Sequence, residues 1–190
     1  VLAIIEGPDA ADAYSHFAPG PARLPARLRL GVPKQPSFFG DAGYAAAWDA
    51  ALARATAAGH GIVEIDFAPL DAVAVLLYEG PWVAERHAVV RELLATRPTA
   101  LDPVVRRVVE RAHAFSATEA FGAQYRLQEA RAALVSLWSQ VDLLMVPTAP
   151  GHPRFAEVDA DPVGVNAKLG TYTNFVNLLG WSALAVPAGH

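Results

Sequence analysis

The stretch Tyr78-Glu79-Gly80-Pro81-Trp82-Val83-Ala84-Glu85-Arg86 brings together the residue types best suited to hold a small anion. A guanidinium offers a planar fork of donors that matches a carboxylate, and a phenol adds one hydroxyl. Proline has no backbone N–H with which to continue a helix, so Gly80-Pro81 should end one helix and open the next. Such a break frees backbone groups and can turn Tyr78 and Arg86, on its two sides, toward one ligand. The same spacing also describes an ordinary helix junction, with Tyr78 in the core and Arg86 exposed or paired with Glu79 or Glu85. Spacing alone favours that plainer reading.

Bond-breaking chemistry is harder to find. A serine hydrolase that carries its own machinery shows a nucleophile in a Gly-rich turn and a base to activate it. Ser15, Ser37, Ser116, Ser136, Ser139 and Ser182 stand in caps, loops or helix positions, and none lies in G-x-S-x-G or a Gly/Ser-rich loop. No catalytic residue is assigned. His16, His60, His87, His113, His152 and His190 form no HExxH and no pair at ligand spacing on one helix, so no metal site is expected. The acidic run Glu157, Asp159 and Asp161 lacks the alternation and the glycine of a calcium loop and reads as a solvated loop.

Composition narrows the partners. At 190 residues and 53% hydrophobic content the chain can bury one sizeable core, which argues against disorder. A formal charge of -4 is the wrong sign for a phosphate-binding surface, so nucleic acid is not expected and a small-molecule substrate is. The absence of cysteine removes disulfide frameworks, zinc ribbons and thiol nucleophiles together. The opening VLAIIEG is short and has no basic flank, unlike a signal peptide, and VDLLMVP is far too short for a bilayer, which needs about 20 residues. A cytoplasmic protein with no membrane partner is the expectation.

The elements that must position these residues alternate between strand and helix patterns. RLRLGVP, GIVEIDF and VDLLMVPT read as strands, the last as one covered on both faces, and SALAVPAGH as a final strand over Ala183 to Val186. Between the first two, Asp41 can cap a helix with Tyr44, Trp48, Leu52 and Ala55 on one face and Gly59 beyond its end. Residues 68 to 97 are helical apart from the break at Gly80-Pro81. Asp102 and Pro103 open another helix, and Ser116 with Glu119 forms a capping box for a long one through Trp138. Helical segments are expected near Asp161 to Lys168 and Thr171 to Leu179. The fold class is α/β. VLAIIEG resembles the end of a helix, and SALAVPAGH breaks off where a turn would follow, so the sequence reads as beginning and ending in mid-fold.

Three segments, LLYEGPWVAER, EGPDAADAYS and LGTYTNFVNLLGWSALAVPAG, together resemble allophanate hydrolase, a branch of the amidase-signature enzymes. VPTAP and NLLGWSALAVPAG are similar across the amidases, whereas LLYEGPWVAER and LGTYTNFVN are more specific and point to that branch. The resemblance implies a mixed β-sheet wrapped by α-helices, with residues 1–190 as the later part of a single amidase-signature domain truncated at both ends. It also implies a Ser, cis-Ser, Lys triad upstream of the matching region, in which the lysine acts through the middle serine to take the nucleophile's proton. Neither Lys34 nor Lys168 stands in a matching motif, so this chain is expected to be inactive alone. The parent would hydrolyse allophanate to ammonia and carbon dioxide in urea degradation, with no cofactor.

Within that resemblance, Tyr78 and Arg86 match a Tyr/Arg pair, eight positions apart, that recognises the substrate carboxylate. Thr171, Tyr172 and Asn174 would line the same pocket, although Thr and Asn at a turn-helix junction are also common caps. Gly180-Trp181 departs from the family pattern, where smaller or acidic residues are more usual. A broader-specificity amidase and a non-catalytic interaction module remain alternatives, and homo-oligomerisation is open.

Overall fold

The computed structural model describes residues 7–15 and 24–188, with the side chain of Tyr78 outside the description. The helix end expected at the start of the chain lies outside the described residues. Strand β1 (Arg29–Pro33) pairs in parallel with β2 (Gly61–Ile65) on one side and β3 (Leu143–Leu144) on the other, giving the order β2-β1-β3. Parallel neighbours need crossovers, and helix α1 (Ala42–Ala57) supplies the one between β1 and β2. Its cap is the expected one: the Asp41 carboxylate accepts the Tyr44 N–H at 3.0 Å.

β1 is buried along its last four residues, as a central strand should be. Gly31 lets β3 come close, because a β-carbon there would stand 2.8 Å from Leu144 and 3.0 Å from Val141. At its start the strand is tied to β3 by Arg29, which donates through Nη2 to Asp142 at 2.8 Å and through Nη1 to the Ser139 carbonyl at 2.7 Å. β3 is shorter than expected. Only Leu143 and Leu144 join the ladder, and Leu143 is exposed, because within the described sheet β3 is an edge rather than a strand covered on both faces.

Helices cover the sheet. α2 (Ala68–Glu79) packs against α5 (Ala117–Leu134) and α9 (Asn174–Leu179), and these share a core with Ile65 from β2 and Val141 from just before β3. Phe175 lies at its centre with Leu70 and Val73, all nearly inaccessible. α3 (Val83–Thr96) packs instead on α4 (Pro103–Glu110) and on the short helical turns Pro98–Ala100 and Arg111–Ala114, forming an outer layer. The capping box of Ser116 and Glu119 opens α5 as expected, but that helix stops at Leu134 and a separate turn, α6 (Leu137–Gln140), follows. α7 (Phe155–Ala160) was not foreseen, and α8 (Pro162–Leu169) lies where a helix was expected. Glu157 and Asp161 serve these two helices as caps, accepting the Arg154 and Gly164 N–H groups. The strand expected at Ala183 to Val186 is irregular and exposed, since no described strand edge pairs with it.

Candidate functional site

The helix break stands where the residues required it. The Gly80 N–H closes α2 by donating to Leu76 at 3.2 Å, and a β-carbon at Gly80 would run into that same carbonyl oxygen. Only glycine fits this approach. Pro81 is buried and its carbonyl accepts the Ala84 N–H at 2.8 Å, which starts α3 with Val83 inside the protein. Tyr78 therefore occupies the last turn of α2, and Arg86 the first turns of α3, half-buried. One residue beyond Arg86, His87 meets His113 edge to face with ring centroids 4.6 Å apart, joining α3 to the Arg111–Ala114 turn.

Thr171, Tyr172 and Asn174 are brought together at the start of α9. The Thr171 hydroxyl donates to the Lys168 carbonyl at 2.7 Å, closing the turn between α8 and α9, and Asn174 is the first helical residue. Tyr172 is buried, with its ring edge-on to Phe67 at 5.6 Å. Its hydroxyl accepts the Ser37 N–H at 2.6 Å and donates to the Ser37 carbonyl at 2.8 Å. Burial pushes the phenol above its ordinary pKa, the Ser37 hydrogen bond opposes that, and the charge of Asp71 adds to it. Asp71 is itself raised, by burial first and then by Asp66. α9 packs on α2, the helix that carries Tyr78, so these two parts of the expected site share one helix pair, while Arg86 stands on the neighbouring outer helix.

A cleft of about 350 Å³ opens where the loops after β1 and β3 meet α8. Its walls include Phe39, Asp41, His152, Glu157 and Lys168. In parallel sheets, ligands sit in crevices at the carboxyl ends of the strands, which is where this cleft lies. Its walls come from segments more than a hundred residues apart, so no local motif announces it.

Among the described residues no serine hydroxyl is hydrogen-bonded to a histidine or lysine. The Ser116 hydroxyl is spent on the Glu119 carboxylate and N–H, and that carboxyl is held below its ordinary pKa by the Ser116 backbone N–H first and the hydroxyl second. Ser136 and Ser139 donate to backbone carbonyls one turn earlier. Among the described residues no group of three or more His, Asp or Glu side chains is placed to hold a metal ion. No helix among them is long and apolar enough to cross a membrane.

The family model for amidases matches residues 1–190. The urea amidolyase of Lachancea kluyveri is 39% identical over 182 residues, covering 94% of this chain and 10% of that protein. The 2-amino-5-chloromuconic acid deaminase of Comamonas testosteroni is 33% identical over 90% of this chain and 38% of its own length. Among solved structures, a Kluyveromyces lactis allophanate hydrolase superimposes with a TM-score of 0.92 at 39% identity, covering 97% of this chain and 31% of that one. The chain thus spans about a tenth of the urea amidolyase and under a third of the allophanate hydrolase.

Proposed function

The chain belongs to the amidase family, and on that premise we propose that it is the substrate-recognition part of one amidase domain, in a parent enzyme that hydrolyses allophanate to ammonia and carbon dioxide. Arg86 anchors the substrate carboxylate, Tyr78 assists it, and Thr171, Tyr172 and Asn174 shape the adjoining wall. Tyr172 does so as a positioning residue, since its hydroxyl is engaged by Ser37. The enzyme acts in the cytoplasm on a small soluble substrate.

The observation that carries this reading is the helix break at Gly80-Pro81. It sets Tyr78 and Arg86 on either side of a sterically enforced turn, within a fold that matches an allophanate hydrolase at a TM-score of 0.92. An anchored carboxylate needs a donor fork on a rigid element, and the second turn of a helix fixed by a buried proline and valine provides one. The deaminase relative, whose named substrate is also an acid, favours a second reading in which the acid end is kept and the rest of the substrate varies.

Substitution in the parent enzyme tests the assignment. A charge-assisted hydrogen bond to a carboxylate contributes about 1.5–3 kcal/mol, so Arg86→Ala should lower kcat/KM for allophanate by about ten- to a hundred-fold. Arg86→Lys should recover part of that loss, keeping the charge without the fork. Activity on biuret, which has no carboxylate, should be spared. Equal losses on both substrates with a lowered Tm would make Arg86 structural, and unchanged kinetics would remove it from the site.

A further inference from the structure

We propose that Arg131, on α5, is a positioning residue for the wall formed by Thr171 and Asn174, which it holds from the far end of α9; the proposal rests on the reading that this wall adjoins the substrate. α9 has only six residues, so it is about 9 Å long and too short to persist in water by itself. No side chain caps its first turn. Phe175, Leu178 and Leu179 are buried against α2 and α5. Apolar burial is non-directional, so these contacts fix how deeply the helix sits far better than how far it slides along its axis. Position along the axis must come from directional bonds at its two ends.

At the near end that bond is the Tyr172 hydroxyl on the Ser37 backbone. At the far end Gly180, at φ 69°, turns the chain out of the helix. Its N–H donates to the Asn177 carbonyl and the Trp181 N–H to the Val176 carbonyl, each at 3.1 Å, which satisfies two of the last carbonyls. The next carbonyl, that of Leu178, accepts from Arg131 Nη2 at 2.6 Å, across 47 residues of chain. A charged donor makes this a strong bond.

Packing does not account for the guanidinium. Arg131 Nε is buried and has no hydrogen-bond partner among the described residues. An apolar side chain of similar length would fill the space without leaving a buried N–H unpaired, so what the guanidinium supplies is the bond to Leu178. Its mount is rigid, since α5 runs for 18 residues from a capping box and is set in the core by Leu127 and Leu134. α9 is therefore strung between Ser37 and Arg131, and the residues at its start take their place from both. Trp181 stays packed edge to face on Phe175 and Trp138 without Arg131, so loss of the guanidinium should shift α9 rather than unfold it.

In the parent enzyme, Arg131→Met keeps the unbranched apolar stem and removes the bond. It should raise KM for allophanate about five-fold or more and change kcat less than about two-fold, because the wall binds substrate and does not react. Arg131→Lys, which retains one charged donor, should recover part of that rise. In the isotopically labelled chain, Arg131→Met should move the amide resonances of Thr171 to Asn174. Thr171→Ala and Asn174→Ala test the wall reading separately. Where either raises KM, an unchanged KM in Arg131→Met overturns the assignment, as does a KM raised equally in Arg131→Lys. Where neither raises KM, the wall reading fails and the resonances decide: movement at Thr171 to Asn174 in Arg131→Met leaves the hold on α9 standing, and resonances that stay in place refute it.

Discussion

The α2–α3 corner and the β1–α1 corner both redirect the chain beside the same core, and they are held in opposite ways. At Gly80 the constraint is local: a helix carbonyl four residues back fills the place of a β-carbon, and the following proline is already buried. At Ser37 the constraint arrives from 135 residues away, through the hydroxyl of Tyr172. The first corner keeps its shape wherever its own residues are kept. The second exists only once α9 has docked on α2 and brought Tyr172 with it. A site built on the first is fixed by sequence, and a site built on the second is fixed by folding.

The largest effect expected concerns what the two corners have in common. The groups proposed for them bind rather than react, and among the described residues no serine hydroxyl is hydrogen-bonded to a lysine or histidine. The chain given allophanate should therefore release ammonia at a rate orders of magnitude below that of an amidase with a complete triad, since losing such residues commonly costs a factor of about 10⁴ or more. Turnover well above buffer that survives serine-directed inhibitors would show a site both corners fail to reveal.

The contrast itself is tested by breaking each corner separately. Gly80→Ala forces a β-carbon against the Leu76 carbonyl and cannot be relieved by rotating a side chain, so it should cost about 2–3 kcal/mol in a denaturant melt and displace Arg86 with α3. Tyr172→Phe keeps the ring against Phe67 and removes only the hydroxyl, so about 1 kcal/mol is expected. The two variants should differ in where the change is felt. Amide exchange should quicken around Val83 to Arg86 in the first and around Ser37 to Gly40 in the second. Faster exchange at both corners in both variants would mean that they fold as one unit and that the distinction fails.

The same contrast explains what the sequence could disclose. The helix break, the caps at Asp41, Asp102 and Ser116, and the strands at β1 and β2 rest on neighbouring residues, and each lies where its local pattern placed it. Family motifs carried the fold class further than spacing could, and the proposed roles of Tyr78 and Arg86 rest on them. The 350 Å³ cleft needs Phe39, His152 and Lys168 in one place, which no pattern of period two or 3.6 encodes. The expected strand at Ala183 to Val186 had the right residue types, but a strand is defined by its neighbour, and no described edge reaches it. Tyr172 is a pocket residue only on the family resemblance, and its distance to Ser37 gives it the further task of holding the β1–α1 loop.

The smallest effect expected lies at the start of β1, the strand that leads into the second corner. Arg29 donates from Nη2 and from its backbone N–H to Asp142, at 2.8 Å and 2.7 Å, tying together the two strands whose following loops form the cleft. The side-chain bond from Arg29 is the main cause that lowers the Asp142 pKa, with the backbone N–H second. A carboxyl whose pKa is lower folded than unfolded contributes stability above its unfolded pKa of about 4, and that contribution is lost as the pH falls through the lower, folded value. Stability measured from pH 6 downward should therefore fall less steeply in Asp142→Asn than in the parent chain, with the two curves converging in acid. Because the pair is open to solvent, the difference should shrink further in high salt. The Phe39 and Gly151 resonances should follow the same pH dependence in the parent chain and lose it in the variant. Curves that stay parallel down to strong acid would mean that this pair contributes nothing to the coupling between β1 and β3.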